Sequence, residues 1–292
     1  MPQSNNDLNR ELRGRPDMKI KYYGTGDGYG IPEPFCSCRL CKYARKHRGK
    51  DLRTRSQATI DDIMIDCSKD LLAHEIFYGL DMRKYRHIFI THAHSDHYDG
   101  DDLHSRYQDD GEWHVYLPQK TAEKEAERFD LMKYRNVQTP PNRFPLIHAV
   151  KTFQPFQVGE YRITALPSHH SPEVETVLYI VEHQGKSVFW IHDSGLLTDE
   201  TVAYLKSIDI RFDAVSMDCT LKRGSFFTPT HMDILQCNET KELLAAIGRV
   251  DARTVCILSH IGHLIETTHA ELSEEAKEFG FIVAYDTMEI EV

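Results

Sequence analysis

The sequence predicts a single mixed α/β domain with two sheets inside and helices outside. Three observations carry this: short β-like runs recur along the chain in two batches, helical patterns separate them, and no Gly/Ser/Pro-rich linker or shift in composition divides the 292 residues. Length alone would also accommodate two ordinary domains. The Pro-rich segment PNRFPL, beginning at Pro141, is too short for an interdomain linker.

Taken in order, MKIKYYG (18–24) reads as the first strand, and the polar residues 1–17 before it as a flexible tail without the apolar region of a secretory signal. Further β runs follow at QATIDDIMID (57–66), HIFITH (87–92), WHVYLP (113–118), YRITALP (161–167) and TVLYIVEH (176–183). SVFWIHD (187–193), FDAVSMD (212–218), TVCILSH (254–260), FIVAY (281–285) and MEIEV (288–292) complete the set. Most are apolar or alternating, and several stop at a His or Asp. Helical patterns lie at 121–135, 198–208, 238–248 and 271–280, the last ending at a glycine as helices often do. The domain is therefore expected over residues 18–292.

Composition narrows the function. A hydrophobic fraction of 40% and a charged fraction of 27% describe a soluble globular protein, and no window approaches the apolar length that crosses a bilayer, so no membrane role is expected. The net charge of −10 counts against a nucleic-acid partner, because that affinity comes from Lys and Arg neutralising phosphates. The short basic run from Arg45 to Lys50 reads as a solvated helix end. Seven cysteines, three of them bunched, favour a metal over a disulfide framework and point to a reducing, cytoplasmic compartment.

Those three, Cys36, Cys38 and Cys41, form C-x-C-x2-C. A closed tetrahedral zinc site wants four ligands, and no fourth lies nearby. Cys67, Cys219, Cys237 and Cys256 sit in apolar or helical stretches and read as packing residues.

The strongest chemical signal is THAHSDHYDG (91–100), directly after an apolar run. His92, His94, Asp96 and His97 make H-x-H-x-D-H at a strand end, where side chains project into a loop-built site. Four ligand-type residues in six positions serve two metals if alternate side chains diverge. The remaining ligands should then stand at other strand ends, and His169 and His170, His192 and Asp193, and His260 and His263 do. Each pair alone is weak, since a lone strand-end His is usually a structural hydrogen bonder.

This order and spacing resembles the metallo-β-lactamase superfamily. The resemblance implies an αββα four-layer sandwich with a dinuclear metal site on one edge of two sheets. It makes His92, His94 and His170 ligands of one divalent ion and Asp96, His97 and His260 ligands of the other, with Asp193 bridging. Within the superfamily, GTGDGYGIPEPFCSCRLC, LPSHHS, the MDC at 217–219, and SHIGH followed by DTMEIEV resemble the cyclic phosphate phosphodiesterases of the carbon–phosphorus lyase pathway. That likeness implies hydrolysis of a small phosphodiester such as 5-phosphoribosyl 1,2-cyclic phosphate by a metal-activated hydroxide. It also implies a homodimer, and a structural zinc in the loop at about 24–50 held by Cys36, Cys38, Cys41 and His263. Imidazole and carboxylate sites accept zinc, manganese or iron, so the active-site pair stays open between them.

His231, in FFTPTHMDI, matches no ligand position; the resemblance makes it a phosphate contact and proton donor, a catalytic role it would share with Asp96. Its alternative is a capping residue of a helix starting near Met232. Asp66 reads either as a partner orienting a ligand imidazole or as a strand-end turn residue. His169 and His192 are additional to the resembled pattern and stay unassigned. Competing readings are a tRNA 3′-processing endonuclease, against which the acidic charge counts, a pyrroloquinoline quinone biosynthesis-like protein, and a catalytically silent metal-binding or sensor protein.

Overall fold

The computed structural model describes residues 17–103, 111–135, 145–225 and 228–292. Nearly all of the expected tail, most of PNRFPL and His104 lie outside the described residues. Among those described, fourteen strands form two seven-stranded sheets. The first sheet runs β14 (Glu289–Glu291), β1 (Lys19–Gly24), β2 (Gln57–Ile60), β3 (Ile63–Ile65), β4 (His87–Phe89), β5 (His114–Pro118), β6 (Leu146–Val150). The second runs β13 (Phe281–Val283), β12 (Val255–Ser259), β11 (Ala214–Asp218), β10 (Lys186–Ile191), β9 (Val177–His183), β8 (Tyr161–Pro167), β7 (Phe156–Val158).

Both sheets follow one pattern. From β14 to β3 and from β7 to β10 neighbours are antiparallel; from β3 to β6 and from β10 to β13 they are parallel. The inner parallel strands β4, β5, β11 and β12 are covered on both faces, so they read as continuous apolar runs rather than alternating ones. Residue by residue the faces still divide. Phe89 joins Tyr116, Tyr179 and Trp190 between the sheets, while Ile88 and Ile90 turn outward with Val115 and Leu117. In β10, Val188 and Trp190 face inward, whereas Phe189 and Ile191 pack outward against helical Leu205, Ile234 and Leu244.

Helices cover the outer faces: α1 (Arg39–His47), α2 (Leu71–Tyr78), the single turn α3 (Gly100–Leu103), α4 (Gln119–Arg135), α5 (Asp199–Ser207), α6 (Ile234–Ala246) and α7 (His269–Glu278). Capping boxes start α6 at Asp233 with Gln236 and α7 at Thr268 with Glu271, so backbone N–H groups at each helix start are satisfied. The expected two-sheet sandwich with outer helices is therefore the observed fold. Among the described residues no helix is long and apolar enough to cross a membrane.

Three local differences have physical causes. QATIDDIMID is two strands rather than one, because Asp61 takes φ +51 and turns the chain with Asp62, a conformation that Asp tolerates better than most residues. The short strands β6 and β7 offer too few residues for an apolar period to show. The helix expected near Met232 begins two residues later at Ile234, where Asp233 supplies the cap.

His74 on α2 is fully buried, with Nδ1 2.5 Å from Gln57 Oε1 and Nε2 2.8 Å from Thr54 Oγ1. Burial pushes it down from 6.5 to about 4. The unfolded chain therefore binds the extra proton, so this contribution to stability is present above pH 6.5 and is lost as pH falls toward 4. Urea unfolding of His74→Gln should show a shallower loss of stability than the parent across that window, by up to about 1.4 kcal/mol per pH unit. Equal slopes would contradict this assignment.

Candidate metal centre

The C-terminal ends of β4, β8, β10, β11 and β12 meet at one edge of the sandwich. After β4 the chain makes a tight turn in which the N–H groups of His97 and Tyr98 both donate to His94 O. Cys67 pins that turn, donating to His97 O and accepting from the N–H of Asp99. His92 and His97 are consequently buried, while His94 and Asp96 stand half-buried at the mouth.

Two clusters result. His92 Nε2, His94 Nδ1 and His170 Nε2 converge, at 2.9 Å between the first two and 3.2 Å between the last two. Asp96, His97 and His260 form the other, with 3.2 Å between His97 Nε2 and His260 Nε2 and between His97 Nε2 and Asp96 Oδ2. Asp193 belongs to both: Oδ2 lies 3.1 Å from His92 Nε2 and 2.9 Å from His97 Nε2, and Oδ1 lies 3.0 Å from His260 Nε2. Within each cluster of four, one ligand atom per residue lies within 4.8 Å of every other. Asp66, Asp193 and His260 hold φ of +64, +47 and +55, backbone strain of the kind found where side chains must be aimed.

The outer nitrogens decide what the inner ones present. His97 Nδ1 lies 2.6 Å from Asp66 Oδ2, His92 Nδ1 3.0 Å from Thr91 Oγ1, and His260 Nδ1 2.9 Å from Thr220 Oγ1. A neutral imidazole that donates outward aims a bare lone pair inward. Lone pairs facing one another at these distances repel unless a cation sits between them. Nitrogen ligands at about 2.0–2.1 Å in a tetrahedral shell stand about 3.3 Å apart, close to the spacing observed. Asp193 Oδ1 is also buried without a hydrogen bond. These residues fit a divalent cation in each cluster.

Without cations, protons must compensate the carboxylates. Burial works against charge on His260, but Asp193 and then Asp218 hold it up at about 9. His97 is likewise raised well above its usual value by Asp193, Asp66 and Asp96 against burial. His92 is pushed down to about 3 by burial and by neighbouring His97. Metal binding at such a site releases protons.

His231 stands beside the clusters, its Nδ1 2.8 Å from Asp218 Oδ2 and 3.5 Å from Asp193 Oδ1. Burial disfavours its charge, yet Asp218 and Asp193 leave it raised above 6.5. Asp218 is fully buried and accepts from the N–H and Oγ1 of Thr220. Sequence reasoning noted the MDC tripeptide without giving Asp218 a role, although Asp218 ends β11 as Asp193 follows β10. Thr220 carried no signal. Asp66 takes the orienting position at His97 that was one of its two readings. His169 is exposed, with its carbonyl accepting from the N–H of Gly195, and His192 turns away into the inter-sheet core.

The cysteine cluster is also brought together. Cys36 Sγ and Cys38 Sγ lie 3.4 and 3.8 Å from His263 Nδ1, and one ligand atom from each of Cys36, Cys38, Cys41 and His263 lies within 4.8 Å of the rest. A zinc tetrahedron with Zn–S bonds of about 2.3 Å has edges of about 3.8 Å, so this donor set fits the ion. Cys38 caps α1, its sulfur accepting from the N–H of Cys41. Burial raises its thiol, but His263 and that N–H lower it further, to about 7. Glu33 Oε2 sits 3.2 Å from His263 Nε2 and fixes the ring from behind.

Residues 61–261 match the beta-lactamase superfamily domain. The chain belongs to the beta-lactamase superfamily. Its fold is shared with a diphosphatase from the PhnP family, at TM-score 0.72 and 19% identity over 94% of this chain and 97% of that one. Zinc-bound PqqB from Methylobacterium extorquens superposes at TM-score 0.70 and 16% identity, covering 94% and 100% of the two chains. Human short-form tRNase Z follows at 0.63 and 15%, covering 93% and 98%. An octanoyltransferase of Porphyromonas gingivalis is 28% identical over 273 residues, 89% of this chain and 48% of that protein. The chain thus spans about half the length of the curated relative it matches.

For the cysteine cluster, Cys38→Ser and His263→Ala should each lower tightly bound zinc by about one equivalent per chain and lower the melting temperature. Metal analysis after dialysis reads this. Zinc content equal to the parent in either variant would show that the cluster is closed by other residues.

Proposed function

We propose that this superfamily member is a metal-dependent phosphodiesterase that hydrolyses a small phosphodiester, with a cyclic ester such as 5-phosphoribosyl 1,2-cyclic phosphate as its substrate. The observation that carries the reading is the Asp193 carboxylate shared between two histidine clusters, each fit for a divalent cation. When bound, a cation pair supplies an activated water at neutral pH and neutralises charge on the phosphodiester oxygens. His92, His94 and His170 would hold one ion and Asp96, His97 and His260 the other. Residues 18–292 would act as one hydrolase unit, with the loop at 24–50 held by a structural zinc.

The chain's own proton chemistry centres on His231. Asp218 engages Nδ1, which leaves Nε2 to meet the substrate; burial works against charge on the ring, and Asp218 and Asp193 raise its proton affinity above the ordinary value. Nε2–H would pass its proton to the departing oxygen, leaving a neutral ring, or hydrogen-bond a phosphate oxygen, while Asp218 holds the ring through Nδ1–H. Asp66, Thr91 and Thr220 hold the ligand imidazoles in one orientation, so little reorganisation is needed during turnover. One structural neighbour is a diphosphatase, so a diphosphate bond belongs in the same test. The octanoyltransferase is about twice as long as this chain, and the reading concerns only the shared segment.

Purified protein supplied with manganese or zinc should hydrolyse bis(p-nitrophenyl) phosphate and, faster, a cyclic phosphodiester, and should stop when chelated. Asp193→Asn should lower kcat at least about 1,000-fold, as expected for loss of electrostatic stabilisation at the reacting centre. His231→Ala should lower kcat about 100- to 10,000-fold with little change in bound metal, the range for a general acid. No turnover with any divalent metal, or full activity in Asp193→Asn, would defeat the proposal.

A further inference from the structure

His192 immediately follows β10 and precedes Asp193, yet its ring points into the core and the proposed hydrolysis does not use it. It is 1% exposed, with Trp190, Ser216 and Ser56 against its ring. A phenylalanine would pack there without polar demands, whereas a buried imidazole must satisfy two nitrogens. Both have partners: Nε2 lies 2.8 Å from Ser216 Oγ and Nδ1 lies 3.4 Å from Ser56 Oγ. Tyr22 donates its hydroxyl to the same Ser216 Oγ at 2.9 Å.

One assignment of the hydrogens satisfies every group. Tyr22 O–H donates to Ser216, Ser216 O–H donates to His192 Nε2, and His192 Nδ1–H is left to donate to Ser56. Tyr22 lies on β1, Ser216 on β11 and Ser56 just before β2, so the chain of bonds ties the end of β10 to both sheets. Trp190 lies beneath the imidazole at 4.0 Å between ring centres and stacks on Tyr22 at 5.6 Å.

The Asp193 carboxylate lies against His92, His97 and His260, while its backbone is held separately: the carbonyl accepts from Ser168 Oγ at 2.7 Å and φ is +47. The direction of the carboxylate therefore depends on the backbone turn, and the side chain immediately before that turn is His192. We propose that His192 is a positioning residue: bonded on both ring nitrogens between the sheets, it fixes the turn that lets Asp193 reach both clusters. The inference rests on the reading that Asp193 is shared by two cations.

Calorimetric titration of Mn²⁺ into the apoprotein tests it, with electron paramagnetic resonance of the loaded protein reporting exchange coupling between two ions that share a bridge. His192→Phe should weaken binding of the second Mn²⁺ about 10- to 100-fold, the usual cost of losing a supporting residue at a metal site, and should abolish the coupling. His192→Gln, whose amide reaches the Ser216 hydroxyl, should recover most of both. Parental affinity and coupling in His192→Phe, alongside their loss in Asp193→Asn, would overturn the inference and leave the shared carboxylate standing. Parental affinity in Asp193→Asn would overturn that reading and the inference with it. Should His192→Phe fail to fold, Ser216→Ala and Ser56→Ala decide: weakened second-ion binding supports the role, and parental binding in both removes it.

Discussion

Asp193 holds a carboxylate at 2% exposure, and burying such a charge costs several kcal/mol unless charge of the other sign is returned to it. His92, His97 and His260 each bring a nitrogen within about 3 Å of its oxygens. Proton affinities divide accordingly: against burial, the carboxylates raise His97 and His260, whereas His92 is lowered by burial and then by neighbouring His97. Protons are one way to settle that field, and divalent cations are the other. The outer partners Asp66, Thr91 and Thr220 favour the second, because each leaves a ligand nitrogen turned inward.

The fold supplies the convergence. Both sheets pass from antiparallel to parallel pairing at the same point in their order, at β3 and at β10, and those parallel strands end on one edge. Loops leaving that edge carry the functional side chains, while the apolar strands behind them are buried on two faces and hold their positions. The cysteine cluster acts on the same edge from another direction. Its His263 lies in the loop that carries His260, so the segment from Cys36 to Cys41 braces a loop of the metal centre. Gly26 bridges both Arg55 and Ile261 in that brace, and a side chain at Gly24 would strike the Arg55 carbonyl.

Much of this was legible because ligand chemistry needs particular residue types at strand ends. H-x-H-x-D-H and the later His and Asp positions could be found by following each apolar run to its close, and the structure gathers His92, His94, Asp96, His97, His170, Asp193 and His260 at one place. Asp218 obeyed the same rule and stands inside the MDC tripeptide, but nothing in that tripeptide names its partner, and only its 2.8 Å contact with His231 gives it a role. His192 looked equivalent to its neighbours in sequence; which way a side chain faces at a strand end depends on the backbone turn at Asp193, which no residue pattern announces. The hairpin inside QATIDDIMID was hidden for a similar reason, since two aspartates in an apolar run do not by themselves specify a left-handed turn. The pairing of Cys41 with His263 joins residues far apart in the chain, and local spacing carries no trace of it.

The central claim is that Asp193 lies between two cations. Anomalous scattering from crystals of metal-replete protein, measured on both sides of the zinc and manganese absorption edges, tests it most directly. The account predicts two peaks flanking the Asp193 carboxylate, one beside His92, His94 and His170 and one beside Asp96, His97 and His260. A single peak served by only one of those clusters, or no peak within coordination distance of Asp193, would contradict it.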